Sequence, residues 1–203
     1  MCRLVIMTVG KTHSGKTTFA KDLEKELPDS VVIDQDNHAE FLHAYYQTLL
    51  PKQGSNMIKY ALTQTIVNYA VDETDSHLIL CNSNRNRKGR LKLLEHFHNK
   101  GFTRIIVIFD IPEHVLQERI AKNQRSTTIL RTASNFKEVL SRQQDETDIG
   151  DVIAPIEGEA EHLFIINNAD EVQSVIRKIV QLCPKLIGDL TSSTLANTKN
   201  ENP

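Results

Sequence analysis

Residues 10–17 read Gly-Lys-Thr-His-Ser-Gly-Lys-Thr and fit the spacing G-x-x-x-x-G-K-[ST] without a mismatch. An apolar run at 3–9 comes directly before them. Apolar residues at 19, 20, 23 and 27 follow at helical spacing. The octet therefore reads as the turn between a buried strand and a helix. Gly10 and Gly15 permit backbone angles that side chains block. The turn then aims several N–H groups inward, and the helix start adds the positive end of its dipole. Such a cradle suits phosphate oxygens, with Lys16 spaced to reach the β- and γ-phosphates and the Thr17 hydroxyl to ligate Mg²⁺. The candidate binding residues are Gly10, Lys11, Thr12, His13, Ser14, Gly15, Lys16, Thr17 and Thr18. Lys11 and His13 are expected to face solvent. The alternative is a glycine-rich turn that binds nothing.

Apolar runs at 31–33, 77–81, 105–109 and 163–166 predict four further strands. Helical spacing predicts helices at 37–50 and 55–72, split by Pro51 and Gly54, and at 86–99, 134–146 and 169–182. Gly101 stands where a helix ends, and Pro112 where one begins. Strand and helix alternate about five times, so the sheet should be parallel and covered on both faces. The acidic stretch 147–161 predicts a loop, and the polar residues from 188 onward predict a disordered tail. The chain thus reads as one domain over 1–187 and a tail over 188–203. Tyr45, Tyr46 and Tyr60 are expected in the core, with an acceptor pocket as the alternative. Cys81 is expected to be buried.

Composition excludes more than it selects. The chain has 203 residues, a net charge of −2 and 25% charged residues. It is no polycation built to coat nucleic acid, although a local basic patch is compatible with that total. Aromatics are 5% and tryptophan is absent, which argues against a base-stacking platform for single strands. No apolar run approaches the roughly 18 residues that span a bilayer, and no signal-peptide pattern opens the sequence. Cys2, Cys81 and Cys183 form neither a disulfide framework nor a zinc knuckle. The expectation is a soluble cytoplasmic protein without membrane contact.

With its flanking strand and helix, the octet resembles the phosphate loop, or Walker A motif, of the P-loop NTPase superfamily. Further along, the chain resembles the small-kinase branch. Val31-Val32-Ile33-Asp34-Gln35-Asp36 puts two carboxylates just past a strand, at the sheet edge where ligands sit. Either acid could cap the next helix instead. Polynucleotide kinases and zeta-toxin-like kinases are similar here, and the resemblance makes Asp36 the first choice of general base and Asp34 the second. The arginine that polynucleotide kinases carry three residues beyond that aspartate is absent, because Asn37, His38 and Ala39 follow Asp36.

After the third strand, Asn82 stands where a Walker B acid is usual, so any contact with magnesium would run through water. Arg85, Arg87, Lys88 and Arg90 form a basic run at a helix start, against the dipole, which tips the reading toward an acceptor phosphate. Asp110-Ile111-Pro112, with Arg119 seven residues after the proline, is similar to nucleoside-monophosphate kinases. In those families the arginine packs on adenine or touches phosphate, and a lid follows. Asp110 is then a turn acid and ranks below Asn82 for metal. Six Lys or Arg lie between 119 and 142 against one acid, Glu138. Arg125 is the expected lid arginine and Arg131 the next. Adenine is expected against 167–170.

The resemblance spans roughly 1–182. It implies a three-layer α/β sandwich whose five-stranded parallel sheet has the order 2-3-1-4-5, a helical acceptor insert at about 37–72 and a lid at about 120–133. It further implies an ATP-dependent phosphotransferase using Mg²⁺ that passes the γ-phosphoryl group to a hydroxyl or phosphate acceptor, in the manner of a polynucleotide kinase or of a nucleoside or nucleotide kinase. Lys16, Asp36 or Asp34, and Arg125 would be catalytic, and Arg119 would bind nucleotide. The acceptor would be a small molecule or a nucleic-acid end, lying between the second strand's end and the insert. The second reading is an ATP-binding switch or ATPase that acts through a protein partner, which the missing Walker B acid favours.

Overall fold

The computed structural model describes residues 3–122, 125–130 and 132–183. The predicted tail from 188, the boundary at 187 and Arg131 lie outside the described residues. Five strands alternate with helices: β1 (Arg3–Gly10), α1 (Lys16–Glu26), β2 (Ser30–Ile33), α2 (Gln35–Tyr45), α3 (Met57–Glu73), β3 (His77–Leu80), α4 (Arg87–Asn99), β4 (Phe102–Phe109), α5 (Glu113–Lys122), α6 (Phe136–Asp145), β5 (His162–Ile166) and α7 (Val172–Gln181). All pairings between these five strands are parallel, and the sheet order is β2-β3-β1-β4-β5, as the resemblance implied.

Period-two alternation along β1 explains the layers. Leu4 and Ile6 point to one face and pack with Phe19, Leu23, Leu116 and Ile176 from α1, α5 and α7. Val5, Met7 and Val9 point to the other, against Val67, Val71, Leu94 and Phe97 from α3 and α4. Leu4 through Met7 are fully buried, as a central strand covered on both faces requires. Among the described residues no helix is long and apolar enough to cross a membrane.

The differences from the sequence reading have physical causes. β4 starts at Phe102, earlier than the apolar run at 105, because it pairs with β1 from Arg3↔Phe102 onward. Thr103 and Arg104 are strand by pairing, not by hydrophobicity. Tyr45, Tyr46 and Tyr60 are 74%, 46% and 47% exposed, so the expectation of core packing fails. The buried faces of α2 and α3 are built instead from Ala39 and Leu42, and from Thr63, Val67, Ala70 and Val71. Cys81 is buried as expected.

The basic run before α4 is also reassigned. The Arg90 side chain is fully buried, and its Nε and Nη2 donate to Glu159 at 2.7 and 3.1 Å. Arg87 Nε reaches the same carboxylate at 3.0 Å. Arg85 donates to the Gln143 carbonyl and to Thr147. These arginines fasten the 147–161 loop and the end of α6 onto α4 and the connection that leads into it. Glu159→Ala leaves a buried guanidinium without its anion, at a cost of about 3–5 kcal/mol. Calorimetry is expected to show a Tm about 10 °C lower, recovered in large part by the apolar pair Arg90→Met/Glu159→Leu.

A phosphate-loop cavity as the candidate active site

The β1–α1 turn is built by three separate constraints. A Cβ on Gly10 would lie 2.9 Å from Phe109 Cβ and 3.1 Å from Ser14 Oγ, so close approach, rather than a special φ, demands glycine there. Gly15 does need the left-handed region, at φ 102°. Arg119 Nη1 donates to the carbonyls of His13 and Ser14 at 3.1 and 3.0 Å. With these carbonyls held on one side, the loop amides are free to face the other.

The start of α1 is left open. Asp34, Asn56, Asn86 and Asn135 cap α2, α3, α4 and α6 through their side chains. Gly15 offers α1 no such cap, and its first turn carries no acid. Unpaired amides and the dipole therefore meet at the end of β1.

Lys16 Nζ donates to the Lys11 carbonyl at 2.5 Å and to Ser14 Oγ at 3.1 Å, curled over its own loop. Burial lowers its pKa to about 8, although Cys81, Asp36 and Asp34 pull the other way. His13 is not the solvent-facing residue expected. It is half-buried at φ 58°, edge-on to Phe136 at 4.8 Å, and burial followed by Arg125, Lys16 and Arg119 lowers its pKa to about 4. Lys11 is half-buried and contributes its carbonyl. Thr18 is exposed and lines the cavity. The Thr12 N–H donates to Gln143 Oε1 at 2.7 Å, a contact no sequence pattern signals across that separation.

The two acids after β2 differ. Asp34 is 2% exposed, and both of its oxygens are engaged: Oδ1 accepts from the Asp36 N–H at 2.9 Å and Oδ2 from Thr17 Oγ1 at 3.3 Å. Asp34 is therefore the helix cap. Asp36 accepts from Arg125 Nη2 at 2.8 Å and lines the cavity. Asn82 Oδ1 accepts from the Gln35 N–H at 3.3 Å, tying the end of β3 to the start of α2. Asp110 is exposed. Among the described residues no cluster of three or more His, Cys, Asp and Glu gathers to hold a metal.

Around this turn lies a cavity of about 1430 Å³. Phe109, Ile111, Ile166 and Val172 line it, as do Lys52, Asn56, Lys59 and Tyr60 from the connection between α2 and α3 and the start of α3. Sequence reasoning missed Lys52, Lys59 and Gln143, which belong to no motif.

A sequence model of an AAA domain matches residues 5–145. The chain belongs to that AAA domain family. No curated protein matches the sequence. Among solved structures, the chain is similar to a putative kinase from Chloroflexus aurantiacus, at TM-score 0.63 and 17% identity over 89% of this chain and 98% of that one. It is similar to the Mycobacterium tuberculosis APS kinase CysC, solved with AMPPNP and APS, at TM-score 0.52 and 17% identity over 89% and 97%. It is also similar to Chaetomium thermophilum Kti12, solved with ADP-AlF3, at TM-score 0.56 and 16% identity over 86% and 96%. The fold is that of P-loop kinases.

Lys16 gives this site a pH signature. Below about pH 8 the empty protein already carries the charge; above it the proton is lost. A bound triphosphate favours the charged form, so binding takes up a proton there and affinity falls by up to about tenfold per pH unit. Calorimetric titration with an ATP analogue from pH 7 to 10 checks this: a decline above about pH 8 is expected, and Lys16→Met is expected to flatten it. A level wild-type profile contradicts the assignment.

Proposed function

We propose that the chain is an ATP-dependent kinase that transfers the γ-phosphoryl group to the hydroxyl of a small-molecule or nucleic-acid-end acceptor. The observation that carries this reading is Asp36. It is the sole carboxylate among the described residues lining the cavity, against seven Lys or Arg. A lone acid in a cationic site that suits a polyphosphate has a natural task as proton acceptor. The kinases among the similar folds support the reading.

The loop amides and Lys16 hold the triphosphate. The acceptor oxygen attacks the γ-phosphorus, a new P–O bond forms as the bond to the β–γ bridging oxygen breaks, and ADP leaves. The acceptor's proton passes to Asp36. Magnesium would be held by the Thr17 hydroxyl, which Asp34 orients as its hydrogen-bond acceptor, with Asn82 reached through water, and it would neutralise charge on the phosphates. Arg125 exchanges Asp36 for the transferring group. Its side chain and that of Asp36 are 31% and 46% exposed, so their ion pair is worth about 0–1 kcal/mol and the exchange costs little. Arg119, engaged with loop carbonyls, acts as a positioning residue rather than a phosphate ligand.

A screen with γ-labelled ATP tests the reading. Label is expected on an organic acceptor, with kcat lowered about 10²–10⁴-fold in Asp36→Asn and about 10²-fold in Arg125→Ala. Undiminished transfer by Asp36→Asn removes the base assignment. The neutral Asn82 favours one second reading, an ATPase or switch working through a protein partner. Inorganic phosphate as the sole labelled product supports that reading instead.

A further inference from the structure

The cavity exceeds what one ligand needs. Small-molecule sites hold about 300–1,000 Å³, and this one measures about 1430 Å³. β2 and β5 form opposite edges of the sheet, four strand spacings of about 4.8 Å apart. Ile166, Asn168 and Val172 close the cavity on the β5 side. Residues 52–56, Lys59 and Tyr60 close it on the side of the helices that follow β2. A triphosphate on the β1–α1 turn, with its base toward β5, leaves the β2 side for a second molecule.

The charges on that side are unspent. Lys16 and Arg119 are bound to loop oxygens. Lys122, Arg125 and Arg142 have ion pairs with Glu118, Asp36 and Glu146. Among the described residues, Lys52 and Lys59 are the two cavity cations with neither an ion pair nor a hydrogen bond to their charged groups. Lys59 Nζ lies 4.9 Å over the Tyr60 ring. It also stands in the first turn of α3, where a cation opposes the helix dipole. The ring contact offsets part of that cost, and an anionic ligand supplies the missing counter-charge.

Resting on the kinase reading, we propose that the phosphoryl acceptor carries a phosphate of its own, bound by Lys52 and Lys59 while its hydroxyl faces Asp36. A neutral sugar or nucleoside gives two ammonium groups no anion. A phosphate-bearing hydroxyl compound, whether a free metabolite or an oligonucleotide end, satisfies both through charge-assisted hydrogen bonds.

Protein loaded with Mg²⁺ and a non-hydrolysable ATP analogue is titrated calorimetrically with matched compounds. The pairs are adenosine and adenosine 3′-phosphate, ribose and ribose 5-phosphate, and a trinucleotide with and without a terminal phosphate. The phosphorylated member of one pair or more is expected to bind at least about tenfold tighter. Lys52→Ala/Lys59→Ala is expected to erase that margin, with Tm and analogue affinity as controls for folding. Which pair shows the margin separates a free metabolite from a nucleic-acid end. Equal behaviour within every pair, absence of binding included, overturns the proposal, as does a margin that survives the double variant. Label transfer from ATP is read separately. Its failure with every compound sinks the kinase assignment, while the calorimetric margin still decides the lysine pair.

Discussion

The site depends on which way eight residues turn their peptide groups. A strand-to-helix turn has as many carbonyls as amides, and left alone it would present both to a ligand. Here Arg119 holds the carbonyls of His13 and Ser14, and Lys16 covers that of Lys11. The Gly10 N–H is spent on the Ser83 carbonyl, which ties the loop to the end of β3. With those three acceptors occupied, the uncapped start of α1 is left to offer its amides to an anion. Gly10 against Phe109 sets how closely the loop can approach β4, so the packing of the central strands fixes the shape of an electrostatic feature.

The surrounding charges follow from that surface. A half-buried lysine beside free amides is costly without an anion, and its lowered pKa expresses the cost. The fold limits it by curling Lys16 onto its own loop and by pairing Arg125 with Asp36. Both contacts are of a kind that a phosphate replaces with stronger ones. In the proposed reaction the same two movements would present a cation to the phosphoryl group and release a carboxylate for the acceptor's proton.

What the sequence made legible was what local chemistry enforces. The octet and β1 could be read because an apolar run and a glycine pattern leave few alternatives, and the strand order came with the resemblance they carry. The start of β4 was not legible, since Thr103 and Arg104 become strand only through pairing with β1. The basic run before α4 misled because its partner, Glu159, lies about seventy positions further on in a stretch that reads only as acidic loop. His13 misled in the same way, since Phe136 and α6 cover it from far along the chain. Lys52 and Lys59 showed nothing, because a lone lysine in a connecting segment or a first helical turn looks the same whether or not it faces a cavity.

Asn82 looks like a defect only when β3 is considered alone. A carboxylate at that position would stand beside Asp34, whose Oδ2 already accepts from Thr17 and whose neighbour Gln35 is bonded to the Asn82 side chain. Two carboxylates so close would repel, and one would be pushed toward its protonated form. Asparagine keeps the hydrogen bond to Gln35 without the second charge. The acid that reaches the Walker A hydroxyl thus comes from the end of β2, two strands from β1 in the sheet order, with the neutral Asn82 at the end of the strand between them. In the proposed kinase the Thr17 hydroxyl would be the direct protein ligand to magnesium and Asp34 would orient it from behind, a task that does not need an acid at the end of β3.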